Sequence, residues 1–224
     1  MNAPNIHAAE FTGGSADFGY SAFLDDTDVS RLALRGQAEL GFDQNFAMQM
    51  DIGTYNFGFI NDSGTNIGLH AIYHVNHATS LGVFYARDNL AGGNGDVFGV
   101  EAGFDFSNTT AGEAYFSTGD SQGIDANIYG FDLAHYISDA FQLRAGVDFV
   151  DSDLGFDLTR WAFGVEYQSI GPANYYAELG SLDANALGLA GSEAFLGFGV
   201  RLDFGVDRGA TFGQRGLLDL LPGL

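Results

Sequence analysis

The chain has 224 residues and a formal charge of −21, carried by 29 Asp and Glu against eight Arg, with no Lys and no Cys. That balance repels a phosphate backbone and excludes a nucleic-acid binder, and without thiols there is no disulfide framework. Hydrophobic residues reach 46 %, yet no run approaches the ~18 apolar residues that a transmembrane helix needs.

The composition favours a long-stranded β protein instead: 33 Gly, 21 Phe and 10 Tyr stand against three Pro. The length suits one all-β barrel. The opening MNAPNIHAAE has neither the basic n-region nor the apolar h-region of a signal peptide, so the chain is expected to be a mature form. Residues 1–14 read as an irregular lead-in.

From there about twelve segments alternate with period two, the mark of strands with two different faces. The first is Ser15–Leu24, with Phe18, Tyr20 and Ala22 on one side. Val29–Phe42 is the clearest: Leu32, Leu34, Ala38, Leu40 and Phe42 alternate with Arg31, Ala33, Arg35, Gln37 and Glu39. Phe46–Phe57 sets Phe46, Met48, Met50 and Ile52 against Gln49, Asp51, Gly53 and Tyr55. Asn66–Val75 sets Ile67, Leu69, Ala71 and Tyr73 against Gly68, His70, Ile72 and His74. Thr79–Arg87 follows, then Val97–Ser107, where Phe98, Val100, Ala102, Phe104 and Phe106 oppose Gly99, Glu101, Gly103 and Asp105.

Thr110–Thr118 is weaker, with Ala114 and Phe116 against Glu113 and Tyr115. Ala126–Ile137 places Tyr129, Phe131 and Leu133 against Gly130, Asp132 and Ala134. Ala140–Val150 opposes Leu143, Ala145, Val147 and Phe149 to Gln142, Arg144, Gly146 and Asp148. Phe156–Gln168 opposes Trp161, Phe163, Val165 and Tyr167 to Arg160, Gly164 and Glu166. Asn174–Leu182 opposes Tyr175, Ala177 and Leu179 to Tyr176, Glu178 and Gly180. Phe195–Phe204, FLGFGVRLDF, closes the set with Leu196, Phe198, Val200, Leu202 and Phe204 against Gly197, Gly199, Arg201 and Asp203.

One face is apolar and aromatic; the other is Gly-rich and holds nearly all mid-strand charge. In a soluble barrel or sandwich the polar face turns outward. In a membrane barrel the polarity is inverted. The absence of Lys, the usual solubilising residue, favours inversion. The fold expected is all-β: a closed antiparallel up-and-down transmembrane barrel of about 12 strands over residues 15–204, followed by a tail over 205–224. The connectors point the same way. Asp43-Gln44-Asn45, Asn76-His77-Ala78, Ser138-Asp139 and Gly171-Pro172-Ala173 are short, whereas LDDTD, NDSGT, AGGNGD, TGDSQGID, DSDLG and LDANALGLAGSE are longer and acidic.

The segment that ends at Phe204 resembles the C-terminal assembly signal of bacterial outer-membrane β-barrels, and residues 15–204 resemble the small porin-like members of that group. The chain departs from the pattern by continuing past Phe204. The resemblance implies a bacterial outer-membrane location, contact with lipid and lipopolysaccharide, and passive diffusion of small hydrophilic solutes through a charged lumen. The alternatives are a non-conducting structural or partner-binding barrel with a salt-bridged lumen, and a soluble β-barrel binder.

Parity then assigns the lumen. Arg31, Arg35, Arg144, Arg160 and Arg201 point inward, with Glu39, Asp51, Glu101, Asp105, Glu113, Asp132, Asp148, Glu166, Glu178 and Asp203. These Arg fall on segments two, nine, ten and twelve, so segments three to eight form a wall with acids and no inward Arg. A transverse field and a weak preference for cations follow. No catalytic set is expected. His70 and His74 lie about 13 Å apart along a strand and do not share a metal, and His77 and Ser80 have no acidic partner at a telling spacing. Gly92–Phe98 matches one calcium-binding GGxGxDxU repeat, which without neighbours reads as a Gly-rich loop. No cofactor is expected beyond Ca²⁺ or Mg²⁺ held loosely by acidic extracellular loops through Asp25, Asp26, Asp28, Asp62, Asp96, Asp120, Asp125, Asp151 and Asp153. The tail, with Arg208, Arg215 and an apolar Leu217, Leu218, Leu220 and Leu221, reads as a periplasmic extension. Its other readings are a lumen plug and a docking segment for a periplasmic protein.

Overall fold

The structure is a computed structural model and describes residues 9–58, 62–90, 92–186, 189–205 and 209–220. Alternation becomes twelve strands: β1 (Glu10–Phe23), β2 (Ser30–Gly41), β3 (Phe46–Phe57), β4 (Asp62–Asn76), β5 (Thr79–Leu90), β6 (Gly93–Ser107), β7 (Thr110–Ser121), β8 (Ile124–Ser138), β9 (Phe141–Ser152), β10 (Phe156–Gln168), β11 (Ala173–Ala186) and β12 (Leu189–Gly205). Each pairs antiparallel with its chain neighbours. β12 closes on β1, with Gly13 opposite Gly205 and Phe23 opposite Phe195. The fold is therefore the expected closed up-and-down barrel, and closure leaves no free edge along this ring.

Two boundaries differ from expectation. β1 begins at Glu10, inside the residues read as a lead-in. There Gly13 and Gly14 pair with Gly205 and Phe204, and glycine has no side chain with which to show a pattern. The acidic connectors are also shorter than read, because Asp62, Asp96, Asp120 and Asp125 lie within strands. The β7–β8 hairpin closes in two residues, Gln122 (φ 55°) and Gly123 (φ 81°), both left-handed as a type I′ turn requires. Polar strand ends thus carry the ladder past the apolar band, and the two ends of the barrel do not differ clearly in loop length. The end bearing Asp25, Asp26, Asp28, Asp151 and Asp153 is the acidic rim. The end where β1 starts and β12 stops is the terminal rim.

The outer surface is apolar almost throughout. Leu34, Ile52, Leu69, Val83, Val100, Phe116, Leu143, Phe163, Leu179 and Phe198 are all exposed. Near the terminal rim the rings pair across strands, Phe46 with Tyr73 at 5.0 Å and Phe141 with Tyr167 at 5.2 Å between centroids. An apolar band with aromatic rings at its border is the exterior of a barrel whose solvent is lipid.

Inside, chemistry changes with height. Towards the terminal rim the lumen carries mostly polar and charged side chains. Towards the acidic rim the inward positions turn apolar: Phe23, Leu158, Leu182 and Phe195 form one buried cluster, and Val97 and Ile128 belong to another. Val150 packs against both clusters, and Tyr55 and Phe57 add a third. These residues form an apolar collar around most of the ring.

If the exterior faces lipid, a charge at mid-height is costly there. Ile52→Arg, at a position 57 % exposed, is expected to destabilise the barrel by about 2–4 kcal/mol. Urea titration of folding into lipid vesicles measures this, and an unchanged midpoint would contradict a lipid-facing surface.

Candidate functional site

β12 stops at Gly205, whose φ of 92° lies in the left-handed region that favours glycine. Further along the chain, Gly209–Leu220 lie inside the barrel. At the point of entry the Gly209 carbonyl occupies the place where a Cβ on Gly13 would stand, so only glycine at 13 permits the approach. Over 209–220 the segment expected to extend from the barrel is thus part of its interior. Arg208 and Leu221 fall outside the described residues.

The segment rests on β2 to β7. Its backbone N–H groups aim at carboxylates. Thr211 donates to Glu39 Oε2 at 2.8 Å, Gly213 to the two oxygens of Glu113 at 3.1 and 3.2 Å, and Leu217 to Asp88 Oδ2 at 2.6 Å. Arg215 Nε donates to Glu101 Oε2 at 3.2 Å, and its Nη2 pairs with Glu113. Burial lowers the pKa of Arg215 from its ordinary value, while Glu101 pulls the other way.

The barrel donates in return. Gln37 and Gln49 reach the Phe212 carbonyl at 3.0 and 2.9 Å, Asn66 the Arg215 carbonyl at 3.0 Å, and Arg31 the Leu218 carbonyl at 2.6 Å. Asp219 accepts from Tyr55 at 2.8 Å and from Arg35 at 3.3 Å. Apolar side chains complete the fit. Phe212 packs on Ala47 and Ile72, Leu218 joins Ala33, Tyr55 and Phe57, and Leu217 and Leu220 enter the collar beside Phe84 and Val97.

Every lumen residue named from the sequence faces inward. Arg31, Arg35, Glu39, Glu101 and Glu113 meet the segment directly. Asp51 holds the adjoining His70, which is fully enclosed, with Nε2 2.8 Å from Asp51 and Nδ1 2.6 Å from Glu101. His74 bonds instead to Ser80 at 2.9 Å, so the two histidines act separately. The opposite wall pairs both across and along strands. Arg160 reaches Asp148 at 3.1 Å and Glu178 at 3.5 Å, while Arg201 reaches Glu166 at 2.8 Å and Asp203 at 2.9 Å. Arg144 lies 3.4 Å from Glu166 and is half exposed, and Asp132 and Asp105 border open space. Among the described residues no group of three or more His, Asp or Glu is placed to hold a metal ion.

Between the segment and this opposite wall a cavity of about 1100 Å³ remains. It is bordered by Arg35, Arg144, Arg160, Arg201, Asp132 and Tyr176, and it reaches the terminal rim at Asn45, His77 and Asp105.

The sequence-derived set omitted several contributors, among them Asp17, Asp88, Tyr115 and Arg215. Asp17 pairs with Arg35 at 2.6 Å, and its parity opposite Phe18 already marked it as inward. Asp88 lies one residue past the expected end of its segment. Tyr115 was placed on the polar face but not given a role. Arg215 carried no positional signal, since nothing periodic links it to β6 and β7.

Without Arg215, two inward carboxylates lose their guanidinium. Arg215→Ala is expected to lower stability by about 2 kcal/mol, read as a lower urea midpoint. Arg87→Ala, which breaks an exposed rim pair with Asp96 at 3.5 Å, is expected to cost less than about 1 kcal/mol. Equal effects would contradict the buried role of Arg215.

No protein-family model matches the chain, and no curated protein matches it in sequence. Solved structures do. The KdgM porin superimposes with a TM-score of 0.65 at 10 % identity, covering 85 % of this chain and 99 % of that one, and it has also been seen in complex with disordered oligogalacturonate. The NanC porin superimposes with a TM-score of 0.65 at 12 % identity, covering 84 % and 98 %. The COG4313 outer membrane channel from Pseudomonas putida F1 gives 0.60 at 11 % identity, covering 91 % and 100 %. At such identities the likeness is one of fold, and the fold is that of small bacterial outer-membrane porins.

Proposed function

We propose that the protein is a bacterial outer-membrane channel for passive diffusion of small hydrophilic solutes through a charged lumen, with Gly209–Leu220 as a resident occluder. The observation that carries this reading is the cavity of about 1100 Å³ inside a barrel with an apolar exterior. Eight strands leave an interior that side chains fill; twelve leave more room. Here part of that room is lined by charge and left open. In this reading the terminal rim faces the periplasm and the acidic rim faces out, beside lipopolysaccharide.

The charge balance narrows the solute class. The ten acids expected to face inward are joined by Asp17 and Asp88, making twelve against the five inward Arg of the strands. Oligogalacturonate, found with KdgM, is a polyanion. The surplus of carboxylate in this lumen favours neutral and cationic solutes instead.

A second reading, a non-conducting barrel with a salt-bridged lumen, draws on the collar. Phe57, Phe84 and Phe195 are at most 2 % exposed, whereas residues lining an open pore touch water. Planar-bilayer recordings separate the two. The full-length protein is expected to conduct weakly, and the protein ending at Gly205 several times more, once gel mobility confirms that it folds. Absence of channel events from both proteins would sink the channel reading.

A further inference from the structure

The slot that holds the Arg215 guanidinium is built by the barrel. Glu101 and Glu113 come from the paired strands β6 and β7. Tyr115, on the inward face with Glu113, presents its ring 4.1 Å from the guanidinium carbon, and the Phe84 ring lies 5.9 Å away. A buried carboxylate needs only a donor. Aromatic faces add attraction for a flat, delocalised cation, and paired carboxylates match the planar N–H fork of a guanidinium better than a compact ammonium.

Tyr115 and Glu101 are held in place by the barrel itself, while Glu113 accepts from the Gly213 N–H of the segment. Tyr115 donates its hydroxyl to Asp148 Oδ1 at 2.7 Å, and Glu101 is held by His70. Among these side chains Arg215 alone belongs to a segment outside the ring. Finally, the slot adjoins the open lumen, since Glu113, Tyr115 and Phe84 border the cavity.

We propose that the lumen carries a recognition site for guanidinium-bearing solutes, formed by Glu101, Glu113 and Tyr115, and that Arg215 occupies it as an internal stand-in. A solute guanidinium that enters from the cavity takes the place of Arg215 and loosens Gly209–Leu220, so the solute widens its own path. That last step rests on the channel reading; the site itself does not. A tethered group competes at an effective concentration of about millimolar, so the solute acts at that level or above.

Hydrogen exchange of the full-length protein in detergent micelles tests the site. The probes are L-argininamide and L-lysinamide, alike in charge and backbone, at equal ionic strength. Argininamide at about 10 mM is expected to speed exchange of the Thr211, Gly213 and Leu217 amides about tenfold, with lysinamide leaving them protected. Glu101→Gln is expected to abolish the difference. Equal effects of the two probes, or no effect of either, would overturn the guanidinium site. In bilayers argininamide is expected to raise the current. Faster exchange with no current from any form keeps the site and overturns the channel reading instead.

Discussion

A carboxylate that faces the inside of a barrel must find a donor or water. The strand backbone has none to offer, because its N–H groups are taken by the ladder. The chain meets this constraint in two ways. From β9 to β12, Arg side chains bridge acids on neighbouring strands, as Arg160 does between Asp148 and Glu178. From β3 to β7 there is no inward Arg, and the donors come from Gln49, Asn66 and His70 on the strands and from a piece of chain that is not a strand. The path of Gly209–Leu220 follows from that demand: Thr211, Gly213 and Leu217 each turn a backbone N–H to an acid.

The order of residues along the segment mirrors the layering of the lumen. Apart from Phe212, which packs on Ala47 and Ile72, Thr211 to Gly216 is polar or small and lies in the charged zone. Leu217, Leu218 and Leu220 follow and lie among the apolar side chains of the collar. One register therefore satisfies both hydrogen bonding and apolar burial, and sliding the segment along the lumen would break both. Local polarity and global placement agree, as they do in sequences that specify a single packing.

Much of this was legible beforehand, and for a physical reason. The two faces of each strand meet different solvents, so period-two alternation separates Leu34 from Arg35 and Phe198 from Arg201 wherever side chains are large. Legibility failed where that contrast is missing. Gly13 and Gly14 have no side chains to alternate, and Asp96 and Asp120 sit in strand ends that look like loops. The segment's placement was beyond reach for another reason. Its partners lie far away in sequence, 187 residues in the case of Arg31 and Leu218, and its contacts are set by chemistry rather than by any period. Composition marked Arg215 and the Leu cluster as unusual, and supplied a plug among several options, without a way to choose.

Closure of the ring pairs Gly13 with Gly205, near opposite ends of the sequence, and the segment that fills the lumen begins four residues later, at Gly209. Ring closure and lumen filling thus both join residues far apart in sequence, contacts of the kind whose loop-closure entropy slows folding. The Gly13–Gly209 approach ties them together at one place. The strand pairing that seals the wall also forms the doorway at which the filling enters, so wall and filling share one seam.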